Sequence, residues 1–159
     1  DQIHDPQNLG AILRTALFLG VDGVVSCSKN SAPLSPAVSK ASAGAMEVLP
    51  VFSTPNLLQL LQRTRQGPDW RVIGTSLSSQ ATPLSTVSLD RNTVVVLGNE
   101  GHGLRTHIRR QCDLLVRIGS AGEARVVGNE GLVDSLNVSV AAGVVLHQLL
   151  ANPATAPLS

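Results

Sequence analysis

The chain has 159 residues, of which 43% are hydrophobic and 14% charged, a balance that fits one domain with one sizeable core and excludes an intrinsically disordered chain. Its 12 basic and 11 acidic residues leave a net charge of +1, so overall electrostatics neither predict nor exclude a polyanionic partner, and any nucleic-acid site has to come from local clusters such as Arg105, Arg109 and Arg110. No apolar run reaches the roughly 18 residues of a membrane span. Cys27 and Cys112 lack companions at zinc or disulfide spacing, and the first residues carry no targeting pattern, so a soluble, reduced, metal-free chain is expected.

Asn8, ahead of Leu9, Ile12, Leu13, Ala16 and Leu17, reads as the cap of a first helix that Gly20 closes before a strand from Val21 to Ser26. Ser35-Pro36 opens a short helix through Lys40 and Ala43, and Val48 to Phe52 reads as a strand. Thr54 with Pro55 behind it looks like the cap of an amphipathic helix through Leu57, Leu58, Leu60 and Leu61, ended by Gly67-Pro68. Arg71 to Thr75 is the next strand. The polar stretch from Leu77 to Asn92 suits a surface loop with one short turn. Thr93 to Leu97 is the expected central buried strand, followed by a glycine turn and a helix on which Leu104, Ile108 and Cys112 share one face and Arg105 and Arg109 another. Leu114 to Ile118 makes a further strand, Gly119 to Asp134 a long loop, and Ser135 opens a last helix that Asn152-Pro153 ends. Strands and helices alternating at these lengths imply an α/β fold, a parallel sheet with helices on both faces.

In such sheets ligands bind beyond the carboxyl ends of the strands, and glycines let a ligand approach the backbone. The loop Gly98-Asn99-Glu100-Gly101-His102-Gly103 meets that description but contains neither G-x-G-x-x-G nor a Gly-Lys-Ser/Thr P-loop. It fits a neutral or cationic small ligand gripped by backbone groups. Each singled-out residue also has a plainer reading: Glu100 complements a helix dipole, Ser135 and Asn8 cap helices, Arg14 is a solvated arginine, and Arg105, Arg109 and Arg110 form a charged outer face. The sequon at Asn137-Val138-Ser139 lies in a helix that must pack and is discounted as a glycan site. Gly-Asn-Glu-Gly recurs at Gly128 to Gly131, but with no strand before it and no helix after it.

Three segments in fixed order change the balance. Asn8-Leu9-Gly10-Ala11-Ile12-Leu13-Arg14, Val96-Leu97-Gly98-Asn99-Glu100-Gly101-His102-Gly103-Leu104 and Ser135-Leu136-Asn137-Val138-Ser139-Val140-Ala141-Ala142-Gly143 closely resemble the three motifs of the SpoU/TrmH family, AdoMet-dependent RNA 2′-O-ribose methyltransferases of the SPOUT superfamily. With Asp5-Pro6-Gln7-Asn8 and Ser39-Lys40-Ala41-Ser42-Ala43-Gly44-Ala45, the chain looks most like the mitochondrial large-subunit rRNA branch.

The resemblance implies a C-terminal trefoil knot, a homodimer, and S-adenosyl-L-methionine as cofactor. It places the cofactor against Leu97, Gly98, Asn99, Gly101, Ile118 and Leu136, with Thr75 and Ser76 nearby. It assigns catalysis to Arg14, aided by Asn8, Glu100, Ser135 and Asn137, and RNA contact to Arg14, Arg105 and Arg109. It also implies a mitochondrial location, a guanosine target in large-subunit rRNA, and a single catalytic domain over 1–159 lacking the N-terminal substrate-binding domain and first strand of relatives. The departure is Gly119 and a long loop where relatives have a shorter connection. The alternatives are a tRNA 2′-O-methyltransferase of the same family and a non-catalytic RNA-binding assembly factor.

Overall fold

The computed structural model describes residues 1–99, 102–119 and 135–152. The first helix, α1 (Pro6–Phe18), starts earlier than the spacing suggests: Asp5 is its cap, its carboxylate accepting from Gln7 N at 3.1 Å, and Pro6 sits where a missing N–H costs nothing. Asn8 is therefore inside the helix, and its expected capping role is corrected. Leu9, Ile12, Leu13 and Ala16 bury one face, while Leu17, expected on it, is 36% exposed. Gly20 does close the helix. With φ +80° it forms a Schellman stop in which Val21 N donates to Ala16 O at 2.9 Å and Gly20 N to Leu17 O at 3.1 Å. Val21 thus belongs to the stop, and β1 is Val24–Cys27 instead of a strand from Val21.

Ser35 caps α2 (Pro36–Ala41) with Pro36 in its first turn, as expected. The α1 and α2 backbones come so close that a Cβ on Gly10 would lie 2.4 Å from Ala41 Cβ. Behind α2, the buried Ser42 hydroxyl donates to Ser39 O at 2.9 Å and accepts from Met46 N at 3.2 Å, and Ala45–Glu47 forms a 3₁₀ turn. That turn uses up the first residues assigned to the next strand, so β2 is Val51–Thr54. The cap of α3 (Leu57–Thr64) is Asn56, accepting from Gln59 N at 3.1 Å, instead of Thr54, whose hydroxyl accepts from Asn56 N one step earlier.

Every strand pairing is parallel. β1 and β2 form one ladder; β3 (Trp70–Thr75), β4 (Thr82–Pro83), β5 (Asn92–Val96) and β6 (Leu114–Arg117) form another in the order β4-β6-β3-β5. The expected parallel α/β arrangement is present, but β5 is an edge strand of its ladder and β3 and β6 are the inner ones, a correction to the expected central strand. Strand order depends on where β6 inserts, which periodicity along one strand does not encode. Adjacent Val72 and Ile73 on β3 are both fully buried on opposite faces. Val72 packs with Leu61 and Ile108 beneath α3 and α4 (Thr106–Arg109); Ile73 packs with Leu84, Val116, Val145 and Leu149 beneath α5 (Val138–Ala151). Removing such a side chain, as in Leu61→Ala, costs about 2–5 kcal/mol.

The helix expected across Leu104 to Cys112 is regular only over α4, though Leu104, Ile108 and Cys112 do share the buried face. The stretch from Leu77 to Asn92 is more than a surface loop: Thr82 pairs with Val116, and Ala81, Leu84 and Val87 are buried. Asn137 caps α5, accepting from Ser139 N at 2.9 Å, which corrects Ser135 as the expected cap. No helix among the described residues is long and apolar enough to cross a membrane.

Candidate functional site

Parallel pairing brings the carboxyl ends of β3, β5 and β6 side by side, with Gly74 opposite Val96 and Thr75 opposite Val116. The Thr75 hydroxyl joins two of these exits, accepting from Gly98 N at 3.4 Å and donating to Val96 O at 3.5 Å. Ser76 N donates to Val116 O at 2.9 Å. Beyond β5 the chain folds back on itself: Asn99 N donates to Gly103 O at 3.0 Å and Gly103 N to Asn99 O at 2.8 Å, with Gly103 at φ +64°. A Cβ on Gly98 would stand 2.4 Å from Gly103 C and 2.6 Å from Leu104 N, so this crossing of two backbones is open to glycine alone. Thr75, Ser76, Leu97, Gly98 and Asn99 thus converge, and Ile118 packs at the same end of β6 against the Ile73 cluster. Glu100, Gly101 and the second Gly-Asn-Glu-Gly at 128–131 lie outside the described residues.

The three motif segments meet beneath this loop. Leu97 packs with Ile12 of α1 and with Val138 and Ala142 of α5. Above that contact, Asn137 Nδ2 donates to Asn8 Oδ1 at 3.1 Å, while Asn137 Oδ1 accepts from Ser139 N and from the Ser139 hydroxyl at 2.6 Å. Those two acceptances fix which end of the Asn137 amide faces Asn8. Asn8 is available for this because Asp5 does the capping. Ser135 is half-buried just ahead of α5, and Leu136 is 45% exposed. Arg14 is exposed on α1, six residues beyond Asn8, about 9 Å along the axis and about 120° around it, so the arginine and the asparagine pair do not form a single cluster.

Residues ahead of α1 hold the glycine loop from outside. Asp1 N donates to Leu97 O at 2.7 Å, Asn99 Nδ2 donates to Gln2 O at 3.0 Å, and the guanidinium and main-chain N–H of Arg105 both bind the Asp1 carboxylate. Asp1 is not singled out by the sequence, and Asp5 figures there only within the Asp5-Pro6-Gln7-Asn8 segment, not as a cap. Asp5 carries the available signal, an Asp-Pro pair at a helix start; Asp1 carries none, because its partner is 104 positions away. Arg109 is exposed on α4.

A small cleft of about 90 Å³ opens beside the loop between Cys27, Lys29, Asn56, Arg105 and His107. A larger one of about 410 Å³ lies at the opposite end of the strands, among Arg65, Trp70, Arg71, Arg91 and Asp113. Its arginines are already paired, Arg65 with Asp113 at 2.8 Å and Arg71 and Arg91 with Asp90 at 3.2 Å each, so it offers little net charge to a ligand. Under the glycine loop, burial pushes the Cys112 thiol up to about 11. No group of three or more His, Cys, Asp or Glu side chains among the described residues could hold a metal ion. At the carboxyl ends of β3, β5 and β6 the strand exits present main-chain groups around Gly98, close to the packed contact between Leu97, α1 and α5.

The sequence profile described as the SpoU rRNA Methylase family matches residues 1–147. The chain is 46% identical to the mitochondrial rRNA methyltransferase 1 of Homo sapiens over 94% of its own length and 43% of that protein's. It is 41% identical to the 23S rRNA (guanosine-2′-O-)-methyltransferase RlmB of Pseudomonas aeruginosa over 94% of its length and 56% of that protein's. Among solved structures it superposes on an AdoMet-bound rRNA methyltransferase from Sinorhizobium meliloti with a TM-score of 0.79 at 28% identity, covering 93% of this chain and 52% of that one. The chain therefore spans about half the length of these relatives.

Proposed function

The chain belongs to the SpoU rRNA Methylase family, and from that premise we propose that it is the catalytic portion of an AdoMet-dependent methyltransferase acting on a ribose 2′-hydroxyl of large-subunit rRNA, at a guanosine. The observation that carries this reading is the convergence of the Asn8–Asn137 hydrogen bond with the backbone loop at Gly98 and the Leu97 contact to both helices. The relatives named for mitochondrial rRNA and for a 23S rRNA guanosine support the substrate and a mitochondrial location.

The residues present fit the cofactor. Main-chain groups at the ends of three adjacent strands, with Gly98 kept free of a side chain, suit an adenosyl moiety held by backbone contacts, and Thr75, Ser76, Leu97, Asn99, Ile118 and Leu136 would complete the cradle; Gly101, expected there as well, lies outside the described residues. AdoMet supplies an electrophilic methyl on a sulfonium, so no metal is required. With AdoMet bound there, a ribose 2′-oxygen would take the methyl as the sulfonium became a thioether, and its hydroxyl proton would have to be accepted by a base. A guanidinium stays protonated at neutral pH and is a poor base. Arg14 therefore orients the target phosphate and stabilises the developing alkoxide, Asn8 and Asn137 orient the ribose, and Glu100 and Ser135 support them. Arg109 extends the RNA contact; Arg105 is committed to Asp1.

Two features of the assembly belong to the same proposal. Leu17, Phe18, Val140 and Val144 expose apolar surface on α1 and α5 beside Arg14, with Phe18 87% exposed, which supports a homodimer through this face. β6 lies between β3 and β4 although both precede it, so the chain after β5 passes within the span of 76–81. That crossing supports a C-terminal trefoil knot. We read the chain as a single catalytic domain; it spans about half the length of the relatives it matches.

The test is calorimetric titration of AdoMet, then transfer of labelled methyl to large-subunit rRNA and tRNA transcripts with mapping of the modified ribose. Modification of an rRNA guanosine 2′-oxygen is expected, with Arg14→Lys at least tenfold slower and its pH–rate profile unshifted. Transfer to tRNA alone, or AdoMet binding without transfer by the full-length protein, overturns it.

A further inference from the structure

The loop after β5 is held at both of its feet by Asp1, with Gln2 adding a contact on the leading side. On the leading side, Asp1 N donates to Leu97 O at 2.7 Å and Asn99 Nδ2 to Gln2 O at 3.0 Å. On the trailing side, Arg105 Nε donates to Asp1 Oδ1 at 2.9 Å, Nη2 donates to the same oxygen at 2.5 Å, and Arg105 N donates to Asp1 Oδ2 at 3.2 Å. The Asp1 side chain is fully buried and that of Arg105 30% exposed. Between the clasp and α1, Gln2 holds φ +61°, a region that a non-glycine residue occupies only when its surroundings impose it.

A buried ion pair is poor evidence of stability, because desolvation offsets the attraction; its better-attested use is to fix a geometry. Here the geometry is the spacing between the glycine loop and α1, and α1 carries Asn8. We infer that the Asp1–Arg105 pair is a positioning clasp that sets the glycine loop against the first motif helix, making Arg105 a determinant of AdoMet affinity and not an RNA contact. The inference rests on reading that loop as the cofactor cradle. A lysine at 105 keeps the charge but not the planar fork that takes the carboxylate side-on.

The experiment uses the full-length protein with Arg105→Lys, Asp1→Asn and the double variant. Calorimetry with AdoMet should show each single variant weakened on the order of 10- to 100-fold, the double variant no worse than the weaker single one, and the RNA KM and its salt slope within about twofold of wild type. Amide exchange at Asn99 and Gly103 without cofactor should quicken about tenfold or more in both single variants while exchange in β3 is unchanged. That second readout stands even if wild type binds no AdoMet, a result that would refute the cofactor reading and not the clasp. Unchanged exchange and AdoMet affinity in both variants overturns the clasp. So does a raised RNA KM with a shallower salt slope and unchanged AdoMet binding in Arg105→Lys, which would make Arg105 an RNA contact.

Discussion

Replacing Gly98 with alanine tests the cradle most directly, because the obstruction is backbone and cannot swing aside. The new Cβ would meet Gly103 C at 2.4 Å, Leu104 N at 2.6 Å and Gly103 O at 2.8 Å. Carbon contacts settle near about 3.5–4.0 Å, so the two arms of the loop must part by about 1 Å. The Asn99–Gly103 bonds, now 3.0 and 2.8 Å, would then stretch past the range in which such bonds count, about 3.2 Å. Overpacking costs about 1–3 kcal/mol and each lost bond about 0.5–1.5 kcal/mol; part of this relaxes, leaving about 2–4 kcal/mol against the binding-competent loop. At about 1.4 kcal/mol per decade, AdoMet should bind roughly 30- to 1,000-fold more weakly by calorimetry, with Tm little changed because the distortion is local. Gly103→Ala is the comparison. Its φ is +64° but nothing lies within 4 Å of a Cβ there, so it carries only the left-handed penalty of about 1–2 kcal/mol. Binding by Gly98→Ala within threefold of wild type, or a greater loss in Gly103→Ala, would refute the reasoning.

Gly10→Ala should destabilise the fold despite a helix-propensity gain of about 1 kcal/mol, because its Cβ would stand 2.4 Å from Ala41 Cβ; a net loss of about 1–2 kcal/mol lowers Tm by about 2–8 °C in scanning calorimetry, and an unchanged or raised Tm would show that α1 and α2 separate freely. If the proposed homodimer forms through the exposed apolar face of α5, the wild type should sediment as a dimer and Val144→Glu, which places a charge on that face, as a monomer; a dimer surviving the substitution would put the interface elsewhere. Cys112 stays a thiol until about pH 11, so its thiolate fraction is small at pH 8 and rises tenfold per pH unit up to that value. Iodoacetamide at pH 8 should modify it at least tenfold more slowly than a free cysteine, after allowing for the greater nucleophilicity of a higher-pKa thiolate. Mass spectrometry finding Cys112 labelled at the rate of a free thiol would contradict its burial.

Much of this arrangement was legible in the chain, and the errors share a cause. Helices and strands were found where apolar periodicity is strong, but boundaries moved wherever an apolar residue served a turn: Val21 completes the Schellman stop, and Val48 follows the 3₁₀ turn. Capping differs from expectation three times, at Asn8, Thr54 and Ser135, because several residues near a helix start can cap and only the backbone conformation chooses among them. The first and last bear on function: with the caps at Asp5 and Asn137, Asn8 sits inside α1, where its side chain meets Asn137. Parallel strands pointed to the glycine loop at Gly98, and the family resemblance added Thr75 and Ile118 to it. The edge position of β5 and the Asp1–Arg105 clasp followed from neither, because both are set by contacts between residues far apart in the chain.

The Asn8–Asn137 bond joins residues 129 positions apart. At a translation rate of about 5–20 residues per second, Asn137 is added roughly 6–26 s after Asn8. Until then Leu97 lacks half of its apolar seat, since Val138 and Ala142 come from α5. The three motif segments therefore come together only once α5 has been made: the last helix closes a contact that the first helix and the loop after β5 cannot complete by themselves.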